Sequence, residues 1–128
     1  MFEFPEKIFV TGTDTDVGKT IISALLVLGL GARYWKPIQS GTEEPTDAHK
    51  IQKITGLDNK YFLPETYKLR APLSPHLAAR LDGVCIDLND ICLPECKGSL
   101  IVEGAGGVMV PINEKHFMLD LMKKLSLP

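Results

Sequence analysis

This sequence has no apolar run long enough to cross a bilayer, no excess of charge of either sign, no internal repeat and no low-complexity tract. The one uncharged stretch of note, 21–32, is about a dozen residues, where a spanning helix needs roughly 18 or more. Asp14 and Asp16 precede it in place of a basic leader, so it is expected to be a buried helix and not a membrane or signal segment. With 14 Lys+Arg against 16 Asp+Glu, a net charge of −2 excludes a polybasic nucleic-acid footprint and an acidic tail. Neither nucleic acid nor a membrane is expected as a partner. Cysteine is scarce: Cys85, Cys92 and Cys96 make an odd count without an export signal, which predicts reduced thiols in a cytoplasmic protein. No nearby fourth ligand makes them a metal set. The single tryptophan, Trp35, is expected in the core with its N–H bonded. What remains, 128 residues with 45% hydrophobic content, predicts a single domain over 1–128, large enough to bury about two-thirds of its unfolded surface.

Strand and helix signals alternate along that length. Ile8 to Thr11 is a short apolar run closed by Gly12, as in a strand buried on both faces. A helix is predicted from Gly18 through Leu25 and Leu28, stopping near Gly29 and Gly31. Arg33 to Lys36 reads as a second strand ended by Pro37. Thr46 is a candidate N-cap for a helix through Ile51 and Ile54 that Gly56 ends. Thr66 to Leu69 reads as a short strand, and Ser74-Pro75 opens a helix ending near Gly83. Between Val84 and Gly98 a short strand and one or two helical turns are expected. Leu100 to Val102 is another apolar strand, Val108 to Ile112 an extended stretch, and Phe117, Leu121 and Leu125 mark an amphipathic helix. The alternation predicts an α/β fold, with a mostly parallel sheet and helices on both faces. A further strand is expected after the last helix, where the chain stops at Pro128.

The strongest chemical signal is the segment from Gly12 to Thr20, which lies between a strand and a helix and resembles a P-loop. Phosphate binding needs glycines whose backbone N–H groups wrap oxygens, a helix N-terminus facing the anion, a lysine for the terminal phosphates and a hydroxyl for Mg²⁺. Gly12, Gly18, Lys19 and Thr20 supply them, with five residues between the glycines where the common pattern has four. Lys36 and Ser40 follow the second strand, on the sheet edge where α/β ligands bind. There a lysine can stabilise charge on a transferring phosphoryl group and Ser40 can donate to a substrate oxygen, although a solvated lysine before a turn is the plainer alternative. Asp47 and Glu103 are candidate Mg²⁺ carboxylates; Asp47 also fits as an ordinary acid in the first turn of a helix. Glu103, between Val102 and Gly104-Ala105-Gly106-Gly107, is hard to explain by packing, and that loop offers N–H donors to an anion. His49, His76 and His116 have no Ser or Cys partner motif.

Taken in order, Phe9 to Thr20, Lys36 to Gly41, Ser74-Pro75-His76 and Glu103 to Gly107 resemble the dethiobiotin synthetase family of biotin biosynthesis. The resemblance implies a P-loop NTPase-like α/β fold, a homodimer, and a ligase that uses ATP, Mg²⁺ and CO₂ or bicarbonate. It would close the ureido ring of dethiobiotin on 7,8-diaminononanoate, releasing ADP and phosphate. It assigns Asp16, Val17, Gly18, Lys19, Thr20 and Ile21 to the ATP phosphates, with Asp47, Glu103, Gly104, Ala105 and Gly106 also at the nucleotide. Mg²⁺ falls to Thr20, Asp47 and Glu103, the diamine or its carbamate to Ser40, and the role of catalytic lysine to Lys36. Asp16 stands where the family often has Glu. Family members continue past position 128 into further strands and the adenine-recognising segments, so the chain is expected to be the N-terminal part of a longer domain and marginally stable alone. A related amidoligase-like P-loop domain and a catalytically silent nucleotide-binding module are the alternatives.

Overall fold

The computed structural model describes residues 3–128. Three short strands, β1 (Lys7–Val10), β2 (Arg33–Trp35) and β5 (Leu100–Glu103), form a parallel sheet in the order β1-β5-β2. Two more, β3 (Ile38–Ser40) and β4 (Tyr67–Leu69), pair in parallel as a second, two-stranded sheet. The helices are α1 (Lys19–Leu30), α2 (Asp47–Thr55), α3 (Pro75–Leu81) and α4 (Met118–Leu125), with single 3₁₀ turns at Asn59–Tyr61 and Leu88–Asp90. The α/β expectation holds.

All four residues of β5 are buried, because it is the central strand and has helices over both faces. Successive side chains of a strand point to opposite faces. Ile101 therefore joins Val10 and Tyr34 in a layer with Ala24 and Val27 of α1 and Ile51 of α2. Leu100 and Val102 join Phe9 and Trp35 in the other layer, with Ala78 of α3 and Met118 and Leu121 of α4. Trp35 is in this core as expected, its Nε1–H donating to the Pro64 carbonyl at 3.1 Å. The same alternation carries Glu103 to the α1 side of the sheet.

Several elements differ from the sequence reading. The stretch 33–41 is two strands in separate sheets. Pro37 has no N–H to continue a ladder, and its carbonyl instead accepts from Thr66 and Tyr67, each at 2.9 Å, which starts the β3–β4 pairing. No strand forms between Val84 and Gly98; the single 3₁₀ turn there is capped by Asp87 and tied down by Lys124, which donates to the carbonyls of Leu88 and Ile91. Val108 to Ile112 turns instead of running extended, with a lone bridge from Pro111 to Phe117. Helix α1 stops where expected, running through Gly29 to Leu30 with Gly31 as its C-cap. It is not, however, the buried helix expected: Ser23, Ala24 and Val27 face inward, but Ile21, Ile22, Leu25 and Leu28 are each at least half exposed. A run that is apolar on every side gives no sign of which side will be covered. None of the described helices is long and apolar enough to cross a membrane.

Candidate active site

A cleft of about 1000 Å³ opens at the carboxyl ends of β1, β2 and β5. Its floor is the loop between β1 and α1. Gly18, the N-cap of α1, has φ 106°, a backbone conformation that glycine adopts without strain, and the helix N-terminus it creates carries no side-chain cap. Lys19 folds back so that Nζ donates to the Asp14 carbonyl at 2.7 Å. Asp16, Gly18, Lys19, Thr20 and Ile21 all line the cleft. Val17 does not line it; its side chain lies over Gly12, where an added Cβ would meet Val17 Cγ2 at 2.6 Å.

The loop after β5 is packed onto this floor. Val108 N–H donates to the Gly12 carbonyl at 3.0 Å, and a Cβ on Gly107 would stand 2.5 Å from the Thr13 carbonyl oxygen. Ala105 and Gly106 reach the cleft. Gly104 does not: its N–H is already committed to the Val10 carbonyl at 3.0 Å, so it has no donor for an anion.

Three charged groups meet at the centre. Lys36, which follows β2, is 6% exposed, contrary to the alternative of a solvated lysine. Its Nζ is paired with Asp47 Oδ2 at the start of α2 and, at 3.2 Å, with Glu103 Oε2 at the end of β5. Thr20 Oγ1 donates to the same Glu103 oxygen at 3.3 Å. Burial pushes the Glu103 carboxyl above its usual value and nearby Asp47 adds to the shift, with Lys36 opposing it. For Asp47 burial acts in the same sense but is outweighed by the Lys36 ammonium, which holds its carboxyl below the usual 3.8. Asp47 is thus both a first-turn helix acid and a site residue. Thr46 caps α2 as expected, accepting from His49 N–H at 3.3 Å, and its hydroxyl also meets His49 Nδ1 at 3.1 Å.

Ser40 lines the cleft from β3, with its hydroxyl buried and unpaired. Gln39 was not singled out from the sequence, yet it joins the parts: Oε1 accepts from Asp47 N–H at 3.2 Å and Nε2 donates to the Ser40 carbonyl at 2.6 Å. Its place between Lys36 and Ser40 was the available signal. Glu44 and Lys50 also line the cleft, Lys50 reaching Asp47 at 3.5 Å. A second cleft, about 710 Å³, lies beside α3 and includes His76, Cys85 and His116, away from the charged cluster. Among the described residues no three His, Cys, Asp or Glu side chains are grouped to hold a metal, and the three cysteines are free thiols.

A family model described as an AAA domain matches residues 6–128. Among curated proteins, the ATP-dependent dethiobiotin synthetase of Afipia carboxidovorans is 50% identical over 123 residues, covering 95% of this chain and 59% of that protein. The protein of that name from Bradyrhizobium sp. (strain BTAi1) is 50% identical over 126 residues, covering 96% of this chain and 59% of its own length. A third, from Rhodopseudomonas palustris (strain BisB18), is 48% identical over 122 residues, covering 95% and 58%. The chain therefore spans about six-tenths of the length of these relatives. Parallel strands, a glycine loop leading into α1 and an acidic residue at the end of β5 accord with the matched family, and the chain belongs to the AAA domain family.

Proposed function

We propose that this chain carries the phosphate-binding and phosphoryl-transfer part of an ATP-dependent dethiobiotin synthetase, working as one P-loop α/β domain. The observation that carries the proposal is the burial of Lys36 between Asp47 and Glu103 at the mouth of the glycine loop. A buried ammonium beside a helix N-terminus is suited to an anion whose charge shifts during reaction.

The reaction has three steps. One amine of 7,8-diaminononanoate adds CO₂ to give a carbamate; a carbamate oxygen takes the γ-phosphoryl group of ATP, releasing ADP; the second amine attacks the carbamoyl carbon and expels phosphate, closing the ureido ring. The protein's part is to position groups and balance charge. Backbone N–H groups from Asp16 to Ile21 receive the phosphates, Lys19 exchanges the Asp14 carbonyl for a phosphate oxygen, and Lys36 turns toward the transferring group. Ser40, whose hydroxyl is unpaired, contacts the diamine or its carbamate. Ala105 and Gly106 border the phosphate end.

The residues present suit Mg²⁺. Thr20, Asp47 and Glu103 offer only hard oxygens, and a site with two carboxylates plus phosphate is how magnesium is usually held, in contrast to an all-protein cage. Magnesium held by these residues would supply neutralisation of phosphate charge. A cytoplasmic homodimer belongs to the same proposal.

The test is ADP release with Mg-ATP, bicarbonate and 7,8-diaminononanoate, measured for the wild type and Lys36→Ala. Diamine-dependent release that Lys36→Ala abolishes supports the reading. Diamine-independent turnover points to an amidoligase-like relative, and tight ATP binding without turnover to a silent nucleotide-binding module.

A further inference from the structure

Behind the charged cluster lie three buried polar atoms that the proposed chemistry leaves unused. Glu103 Oε2 is occupied by Lys36 and Thr20, whereas Oε1 has no partner. The Ser23 and Tyr34 hydroxyls likewise make no bond of full hydrogen-bond geometry, although both stand near enough to Glu103 to interact with it, and both residues are fully buried. Such atoms are uncommon because each costs the desolvation of its polar group, so a carboxylate oxygen and two hydroxyls left this way in one layer call for a cause.

Their placement supplies one. Tyr34 on β2 lies opposite Ile101 on β5, so alternation puts Tyr34 and Glu103 on the sheet face beneath α1. Ser23 comes from α1, three positions beyond Thr20 and on the same inward face as Ala24. The two hydroxyls and Oε1 thus share the layer between α1 and the sheet. The groups also sense one another: after burial itself, the Glu103 charge is the main influence raising the Tyr34 hydroxyl's pKa, and the Ser23 hydroxyl favours the ionised carboxylate. Ser23 and Tyr34 have donors, and Oε1 is a bare acceptor.

Resting on the nucleotide reading above, we propose that Ser23 and Tyr34 are positioning residues for Glu103. When phosphate draws Lys36 Nζ away from Oε2, the carboxylate moves back and accepts both hydroxyls on Oε1. The two donors replace the ammonium, so Glu103 keeps one orientation and leaves Oε2 free for Mg²⁺-nucleotide. With both donors missing, a buried carboxylate that loses Lys36 has only Thr20 to hold it.

The experiment is titration calorimetry of a non-hydrolysable ATP analogue, with Mg²⁺ and with EDTA, on wild type, Tyr34→Phe, Ser23→Ala and the double variant. Each substitution is small and keeps the packing, and a thermal melt for each verifies folding. The wild type should bind more tightly with Mg²⁺. Each single variant should lose about threefold to tenfold of affinity with Mg²⁺, on the scale of a hydrogen bond to a charged group, while binding in EDTA stays as in wild type. In a Glu103→Ala background the same two substitutions should change nothing. Unaltered Mg²⁺-dependent affinity in both single variants overturns the inference, as does an equal loss in the Glu103→Ala background, which would mark a purely structural role. If the wild type itself shows no Mg²⁺-dependent binding, the nucleotide reading has failed and this inference falls with it.

Discussion

Replacing Lys36 with methionine removes a charge while keeping most of the side chain's volume. The ammonium is buried, its Glu103 partner is 1% exposed, and its Asp47 partner is 16% exposed. Taking one partner from a buried ion pair leaves uncompensated charge and costs about 3–5 kcal/mol; the partial exposure of Asp47 places this case near the lower end, about 3 kcal/mol. With an unfolding entropy of about 2.1 cal/mol/K per residue, that corresponds to a Tm lower by about 11 °C at pH 7. The pH dependence identifies the cause. Lys36 is what holds the Asp47 carboxyl below 3.8, and it opposes the burial that raises Glu103 above 4.5. Without it both folded-state values move upward, so both carboxylates cost stability when ionised and recover it when protonated. The deficit of Lys36→Met should therefore be full at pH 7 and shrink as pH falls toward the ordinary carboxylate range. Adding Glu103→Gln should restore part of the loss at neutral pH. The assay is thermal or urea unfolding of the single and double variants across that pH range. A Lys36→Met deficit that stays constant from pH 7 to pH 4.5 would refute the reasoning, since it would then come from lost packing.

Glu103→Gln alone should weaken Mg²⁺-dependent nucleotide binding without lowering Tm at pH 7. The raised pKa means that Glu103 stabilises the fold at low pH and loses that contribution as pH rises through its folded value, so a neutral isostere removes a cost at pH 7; a clearly lower Tm at pH 7 contradicts this. Gly107→Ala and Gly29→Ala should act in opposite directions. The first puts a methyl against the Thr13 carbonyl and should lower both Tm and nucleotide affinity; the second meets nothing within 4 Å inside α1 and should stabilise by about 0.5–1 kcal/mol, read by chemical denaturation. Thr46→Ala removes the cap of α2 and should cost about 1 kcal/mol, or about 4 °C in Tm, with His49 amide exchange accelerated.

The parts of the site readable in the sequence were those whose residue types conflict with their surroundings. Glu103 follows three apolar residues and precedes a glycine loop, where packing offers no reason for a charge. Gly18-Lys19-Thr20 is a loop-to-helix junction whose composition suits phosphate and little else. Lys36 and Asp47 are each legible as candidates, but their pairing is not, because it depends on Gln39 bonding the first turn of α2 to strand β3. Ser23 and Tyr34 looked like an ordinary helix serine and a strand aromatic, and only the strand register shows that they share a layer with Glu103. Of the β3–β4 sheet, β4 is legible as the short strand at 66–69, whereas β3 is not, because Pro37 reads as a terminator whether a new strand follows or not.

The contact between Gly107 and Thr13 also bears on what kind of object the phosphate-binding motif is. Residues 12–20 carry its chemistry, but the loop's shape is borrowed from a segment that is synthesised much later, through the Val108–Gly12 hydrogen bond and a backbone approach closer than any side chain permits. During synthesis the loop therefore stays unfinished until β5 and its glycines have emerged. The motif is not a portable cassette; transplanted with β1 and α1 alone, it would bring the letters of a nucleotide site without the surface against which they are moulded.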